Sequence, residues 1–176
     1  MLPRSRRSEQ GFTLIELLIV VAIISIIAAV AIPNLLKSKQ SGNEVSAVAS
    51  LQAVSKAQVG YSLSCGNGGY ALTLPTLGAP SPGTNDPFLS EDLVKSATPT
   101  KSGFIFGMVP GADAAPADND CNGTATTSAY YATAYPQTFG QTGSRSFAMN
   151  ARGVVWQVYA TTPPPEPFGP PATTIR

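Results

Sequence analysis

A nearly unbroken apolar run near the start of the chain, residues 11–33 (GFTLIELLIVVAIISIIAAVAIP), constrains the fold most strongly. The stretch from Phe12 to Leu36 would form a helix about 37 Å long, which exceeds the roughly 30 Å hydrocarbon core of a bilayer. Its only ionisable side chain is Glu16. We therefore predict a membrane-spanning helix at 12–36. An acid at membrane depth is costly, so Glu16 indicates a functional position.

The residues that lead into this run follow a distinctive order. A leader at 1–11 carries three arginines and one acid, and Gly11-Phe12-Thr13-Leu14-Ile15-Glu16 follows. This order resembles the processing signature of the type IV pilin and pseudopilin family. The resemblance implies that a prepilin peptidase cuts after Gly11 and that the new N-terminal Phe12 is N-methylated. A secretory signal is cut after its apolar stretch, whereas this cut precedes it. The helix would stay on the mature chain, with its N-terminus on the cytoplasmic side.

Glu16 has two interpretations that both stay open. It is a helix-end acid that reaches water or pairs within its own chain, since the Phe12 amine would lie four residues before it. The family resemblance implies instead that Glu16 neutralises the Phe12 amine of a neighbouring subunit in a filament core. An unpaired charge there would cost several kcal/mol, so the pair would select the register of packing. The two pairs can also form in succession, first in the membrane and then in the filament.

Composition excludes several classes of function. The chain has no histidine, which removes Ser-His-Asp and Cys-His catalysis and most zinc sites. No nucleophile-elbow, P-loop or dinucleotide-binding motif occurs. The net charge is +1 and falls to about −1 without the leader, and no basic patch indicates a nucleic-acid partner. We therefore predict that the chain is not an enzyme.

An amphipathic continuation of the helix is predicted over 37–61. The seam consists of Val45, Val48, Leu51 and Val54, one every three residues, and Tyr61 would extend it. The opposite face would carry polar side chains: Lys37, Lys39, Glu44, Gln52, Lys56 and Gln58. This pattern favours one stripe packed on a domain. Pro33 should bend the helix, and Gly42 adds a second soft point.

The region 103–160 is typical of an antiparallel sheet. Four runs bounded by turn residues predict strands at 103–109, 128–135, 145–150 and 153–160, with Asn150-Ala151-Arg152-Gly153 as a tight hairpin. The expected fold is α+β: a long kinked N-terminal helix on a meander of about four strands, as in pilins. The larger aromatic side chains of the runs would lie in or beside the core: Phe106, Tyr131, Phe147 and Trp156.

The remaining segments are rich in glycine and proline. Residues 62–102 form a long irregular connection, with one short helical turn at 90–95 capped by Ser90. In pilins this region is variable and exposed, so it would carry subunit identity. The proline-rich tail, 161–176, cannot be helix or central strand. It should be extended and mobile, either as a solvated end or as a strap across a neighbouring subunit.

Cys65 and Cys121 are the only cysteines. Because the family resemblance places the domain outside the cytoplasm, where disulfides form, we predict a Cys65–Cys121 bridge. Two buried free thiols are the alternative. Pilins often carry a disulfide nearer the C-terminus, so this placement departs from the best-known members.

The residues around Cys121 allow three interpretations. Asp118, Asp120 and Asn122, followed by Gly123, fit half of a calcium loop, and major pseudopilins of type II secretion resemble this. The closing glutamate is absent, however, and Asp and Asn are also common in ordinary turns. Asn122-Gly123-Thr124 is in addition a glycosylation sequon. No other cofactor is indicated.

These features predict a subunit of a type IV pilus-like filament. It would enter the bacterial inner membrane, lose its leader to prepilin peptidase, and be polymerised with copies of itself and other pilins. A membrane platform and an ATPase would drive assembly, leaving the domain in the periplasm and then at the cell surface. A type II secretion pseudopilin is the alternative. A membrane-anchored binding module that does not polymerise is another class, but it does not explain Glu16 or the leader.

Overall fold

The computed structural model describes residues 11–175. The leader, apart from Gly11, lies outside these described residues. The chain divides into two compact units, with the boundary between Ser38 and Lys39. The α+β class predicted from the sequence is confirmed, since one long helix is followed by antiparallel sheets.

Helix α1 spans Leu14–Ser64, a total of 51 residues. It ends a few residues later than predicted, and both Pro33 and Gly42 lie inside it. The bend expected at these two positions stays a prediction. Within the part of the chain that the structure describes, α1 is the one helix long and apolar enough to cross a membrane. Its large apolar side chains in the first unit are exposed, as a lipid-facing surface would be.

The second half of α1 packs on the globular unit through a stripe that differs from the predicted seam. Leu51, Val54 and Tyr61 are buried as expected, but Val45 is 65% exposed. The predicted three-residue spacing was wrong because a helix turns by 3.6 residues, so two positions nine residues apart face about opposite directions. Ala47 and Ala57 complete the buried stripe.

Two residues assigned to the polar face, Glu44 and Gln58, are buried instead. Both are fully hydrogen-bonded, which makes their burial tolerable. The Gln58 side chain donates to the Ala71 carbonyl and accepts from the Ala71 amide, each at 2.9 Å. The Gln58 side chain therefore pairs with the backbone of Ala71 as a neighbouring strand would.

The globular unit contains short strands in chain order: β1 Tyr70–Ala71, β2 Thr100–Lys101, β3 Phe104–Pro110, β4 Pro116–Ala117, β5 Thr126–Thr127, β6 Tyr130–Pro136, β7 Ser146–Asn150, β8 Val155–Val158 and β9 Thr173–Thr174. The larger sheet has the order β2-β3-β6-β7-β8-β9, and the smaller has the order β1-β5-β4. The predicted four-stranded meander is confirmed as β3-β6-β7-β8, all antiparallel. The edge strands β2 and β9 were not predicted.

The hairpin and the aromatic residues agree with expectation. The Gly153 amide donates to the Asn150 carbonyl at 2.9 Å, and Gly153 has a φ of +75° that favours glycine. Phe106 and Phe147 are buried, while Tyr131 and Trp156 are half-buried. One face of β3 and β6 packs on α1 to form the core.

The connection at 62–102 is more regular than predicted. It holds β1, a 3₁₀ turn at Leu74–Gly78, helix α2 at Glu91–Val94 and β2. Ser90 occupies the N-cap position of α2, but its side chain makes no capping bond. The Ser90 carbonyl accepts the Leu93 amide at 3.0 Å, and the hydroxyl donates to Asp92 instead. The predicted side-chain cap was therefore wrong.

The tail at 161–176 is not a solvated end over the residues described. Strand β9 pairs with β8 at the edge of the larger sheet, and Pro164 and Ala172 are buried. The rule that a proline-rich segment cannot be a central strand holds, because β9 is an edge strand. The expectation of a free, solvated end was wrong, because the tail folds back on its own sheet.

Candidate assembly site

The carboxylate of Glu16 lies at the first turn of α1. The Thr13 amide and hydroxyl donate to Glu16 Oε2 at 2.9 and 2.6 Å, and the Glu16 amide donates to Thr13 Oγ1 at 3.3 Å. This reciprocal arrangement is a capping box, which satisfies donors at the helix start that lack intrahelical partners. Sequence reasoning missed Thr13, although the spacing Thr-x-x-Glu signals it.

The capping box leaves part of the Glu16 carboxylate free. Among the described residues, Glu16 Oε1 accepts no hydrogen bond, and Phe12 is 90% exposed. A carboxylate at a helix N-terminus also interacts favourably with the helix dipole. The site can therefore hold a negative charge at a defined position and accept a further donor, such as an ammonium group. Whether the Phe12 amine is that donor stays a prediction.

An ion pair between the buried Glu44 and the half-buried Arg145 joins α1 to the loop before β7. Glu44 Oε2 accepts from Arg145 Nη2 at 2.6 Å and from Nε at 2.9 Å. Glu44 Oε1 accepts from the Ser144 and Arg145 amides at 2.8 and 3.1 Å. Burial acts to raise the pKa of Glu44, but these donors outweigh it, and the pKa is lowered. Gln40 and Asn43 donate to carbonyls of the same loop. We call this contact the Glu44 latch.

The predicted disulfide between Cys65 and Cys121 is present. It lies just after the end of α1, and the Cys121 amide donates to the Cys65 carbonyl at 2.7 Å. Next to it, the Tyr61 hydroxyl donates to Asp120 Oδ2 at 2.7 Å. Burial and the neighbouring Asp120 carboxylate raise the pKa of Tyr61. The loop after β4 is therefore fixed to the helix end by covalent and polar contacts together.

The residues predicted to form half of a calcium loop bind partners within the chain in the structure. Asp120 Oδ1 accepts from the amides of Asn122 and Thr124 at 2.9 and 2.6 Å. Burial acts to raise the pKa of Asp120, but the Tyr61 bond and these two amides lower it overall. Asp118 contributes its carbonyl, which accepts from Thr126 Oγ1 at 2.6 Å. Asp120 thus has a structural role as an acceptor within a turn.

Metal binding and glycosylation at this loop stay untested predictions. Over residues 11–175, no three His, Cys, Asp or Glu side chains are placed to share a metal ion. Asn122 is exposed, and its side-chain amide donates to the Pro80 carbonyl at 3.3 Å. A glycan at Asn122 would have to replace that bond.

Comparison with known proteins gives a match at the N-terminal motif. Residues 6–32 match the family model of the prokaryotic N-terminal methylation motif. Over 57 residues, 32% of this chain and 44% of the relative, the chain is 51% identical to the type IV wide pilus major component PilA4 of Thermus thermophilus. Over 59 residues, 34% of this chain and 25% of the relative, it is 49% identical to the type IV major pilin protein PilA of Myxococcus xanthus.

A second kind of relative belongs to a secretion system. Over 58 residues, 33% of this chain and 41% of the relative, the chain is 34% identical to the type II secretion system core protein G of Aeromonas hydrophila. The chain spans less than half the length of each of these relatives. No solved structure matches significantly. By its methylation motif and the similarity of its N-terminal third, the chain resembles type IV pilins and pseudopilins.

Proposed function

We propose that this chain is a structural subunit of a type IV pilus-like filament. The observation that carries the proposal is the methylation motif at 6–32, which leads directly into an exposed apolar helix of membrane-spanning length. In this proposal prepilin peptidase cuts after Gly11, Phe12 is N-methylated, and the helix anchors the subunit in the inner membrane. A membrane platform with its ATPase then moves the subunit into a filament of pilin copies, with the globular unit outside the cytoplasm.

The mechanism is extraction and packing rather than catalysis. Lipid tails and neighbouring helices are similarly apolar, so transfer of α1 from lipid to filament has little hydrophobic driving force. Close helix packing and polar pairing must therefore supply the free energy that favours the filament. The free Oε1 of Glu16 is suited to accept a neighbouring Phe12 amine, and an unpaired charge in the filament core would be penalised. Glu16 would therefore set which subunit register is stable.

A pseudopilin of type II secretion is the second candidate. The similarity to core protein G favours it, although the half calcium loop adds little because Asp120 already accepts three donors from the chain. Deletion of the gene separates the two candidates. Loss of surface filaments with normal export supports the pilus subunit, whereas loss of protein export with filaments intact supports the pseudopilin.

Replacement of Glu16 by alanine tests the proposal against a non-polymerising anchored module. We expect Glu16→Ala to be inserted and cleaved normally, while surface filaments fall at least about tenfold, since loss of a buried charge partner costs several kcal/mol. The measurement is quantification of processed protein in the membrane and sheared fractions. Glu9→Ala is the matched control, because the proposed cut removes that acid.

A Thr13→Ala variant separates capping from charge. It removes the hydroxyl of the capping box but keeps the Glu16 carboxylate, so it should assemble much better than Glu16→Ala. Filaments at the normal level from Glu16→Ala would overturn the proposed role of the charge, whereas a wild-type protein that is never recovered in sheared filaments would support the anchored module.

A further inference from the structure

The sheet surface that faces away from α1 is covered by another part of the chain. Residues of β3 and β6 alternate between buried positions against α1 and half-exposed positions on the other face. Thr133 of β6 pairs with Ala148 of β7, which pairs with Trp156 of β8. Ala148 belongs to this outer face, yet it is fully buried. The outer face is therefore not simply open to solvent here.

Two aromatic side chains of this face hold the aromatic residue of the tail. Phe168 stacks on Trp156, with ring centroids 5.3 Å apart and an interplanar angle of 17°. Phe168 also lies against Tyr131, at a centroid distance of 6.1 Å. Stacked aromatic pairs of this kind add to the free energy gained by burying their area. Phe168 is thus the apolar anchor of the tail.

Polar groups fix the rest of the tail in register. The Tyr131 hydroxyl donates to the Pro164 carbonyl at 2.6 Å. Glu166 accepts from the Asn150 side-chain amide at 2.7 Å and from the Ala112 backbone amide at 2.9 Å. Burial, and then the charge of Glu166, raise the pKa of Tyr131 to about 12. We call Tyr131, Asn150, Trp156 and the Ala112 amide the cradle.

The tail then continues as an edge strand. Thr173 and Thr174 pair with β8, and the Ile175 amide donates to the Val155 carbonyl at 3.0 Å. An unpaired strand edge is a template for association with other chains. By pairing with β8, the tail covers this edge of the larger sheet.

The link between β8 and the docked tail is largely exposed, although Ser146 Oγ donates to the Ala160 carbonyl at 2.6 Å. Tyr159 is 74% exposed, and Thr161 and Thr162 are exposed. The tail is therefore positioned by its own contacts with the cradle and β8, as a bound peptide would be. Proline-rich segments suit such recognition because the proline rings already restrict the backbone, which then loses little conformational entropy when it binds an aromatic surface.

We propose that the outer face of the sheet is a peptide-binding site for a proline-rich segment with an acid between prolines and a following aromatic residue. Its occupant is the chain's own segment 164–175. The docked segment covers the aromatic face and closes the edge of β8, and its release would open both to the same segment of a second copy. This inference does not depend on the filament proposal.

The single tryptophan of the chain reports directly on occupancy of the cradle. In the full-length protein in detergent, Phe168→Ala should red-shift Trp156 emission and raise its acrylamide quenching constant about twofold, since Phe168 covers one of the two faces of the indole. Phe139→Ala is the matched control, because Phe139 is an exposed aromatic residue in the loop before β7. Unchanged emission and quenching in Phe168→Ala would overturn the proposal.

A titration tests whether the site recognises the segment as a ligand. A chain that ends at Ala160 should bind a synthetic peptide of residues 161–176 saturably, with recovery of Trp156 protection. The intact chain should not respond, because its site is occupied. A peptide with Glu166→Ala should bind at least about tenfold more weakly, since two bonds to a charged group are lost.

Full-length Phe168→Ala serves as the receptor if the shortened chain does not fold. The peptide could bind the intact chain as well as it binds the receptor whose tail is weakened or missing. That result would contradict occupancy of the site by the tail. Absence of saturable binding to either receptor would contradict a peptide site.

Discussion

Replacement of both cysteines, as Cys65→Ala with Cys121→Ala, should lower the free energy of unfolding of the globular unit by about 4 kcal/mol. The bridge joins residues separated by 56 positions, and a loop of that length has a large closure entropy in the unfolded chain. A loss of this size is a substantial part of the total stability of an ordinary domain, which is roughly 5 to 15 kcal/mol.

The native structure around the bridge should persist in the double variant. The Tyr61–Asp120 bond and the Asn67 side-chain bond to the Asn119 carbonyl, both at 2.7 Å, hold the same loop without the sulfurs. The variant should therefore fold at low denaturant and unfold earlier. Urea unfolding followed by Trp156 emission measures the difference. The unfolding midpoint of the variant should not change with reductant. The midpoint of the wild type in reductant should approach that of the variant. Equal midpoints for the variant and the oxidised wild type would contradict the prediction.

The Glu44 latch gives the second large expected effect. Glu44→Gln should lower the free energy of unfolding by about 3 to 5 kcal/mol, because Arg145 would be left partly buried without its partner. Glutamine keeps the shape of the side chain but removes the charge and one acceptor oxygen. The matched control is Asp92→Asn at the Asp92–Lys101 pair, whose ions are 2.8 Å apart and whose side chains are 45% and 33% exposed. An exposed pair should contribute at most about 1 kcal/mol.

The latch also predicts a pH dependence with a definite sign. Because donors lower the pKa of Glu44 in the folded state, its contribution is present above the ordinary value of 4.5 and is lost as pH falls through the folded value. The stability difference between wild type and Glu44→Gln should therefore shrink on acidification below that range. A difference that stays constant from neutral pH to well below it would contradict the assignment.

The longer elements of the fold could be predicted from local sequence. The apolar run gave α1, and alternation bounded by turn residues gave β3, β6, β7 and β8. The two-residue strands β2 and β9 were missed because a period of two cannot be recognised over so short a stretch. The tail was misjudged because its prolines exclude a central strand but not an edge strand.

Of the polar contacts of the site, those between residues close in sequence could be predicted, and those between distant residues could not. The capping box of Thr13 and Glu16 is local and could have been read from its spacing. The burial of Glu44 could not, since its partners Ser144 and Arg145 lie about 100 residues away. A charged residue on a helix is normally assigned to solvent, and only the folded chain brings these donors to it.

Intact-mass and N-terminal analysis of protein sheared from the surface of its native cells shows directly whether the chain is a processed filament subunit. A filament subunit predicts a mature chain that begins at methylated Phe12, is recovered in filaments, and has the two-hydrogen mass deficit of the Cys65–Cys121 bridge. A chain that still begins at Met1, in cells that process other prepilins, would contradict assignment as a processed filament subunit.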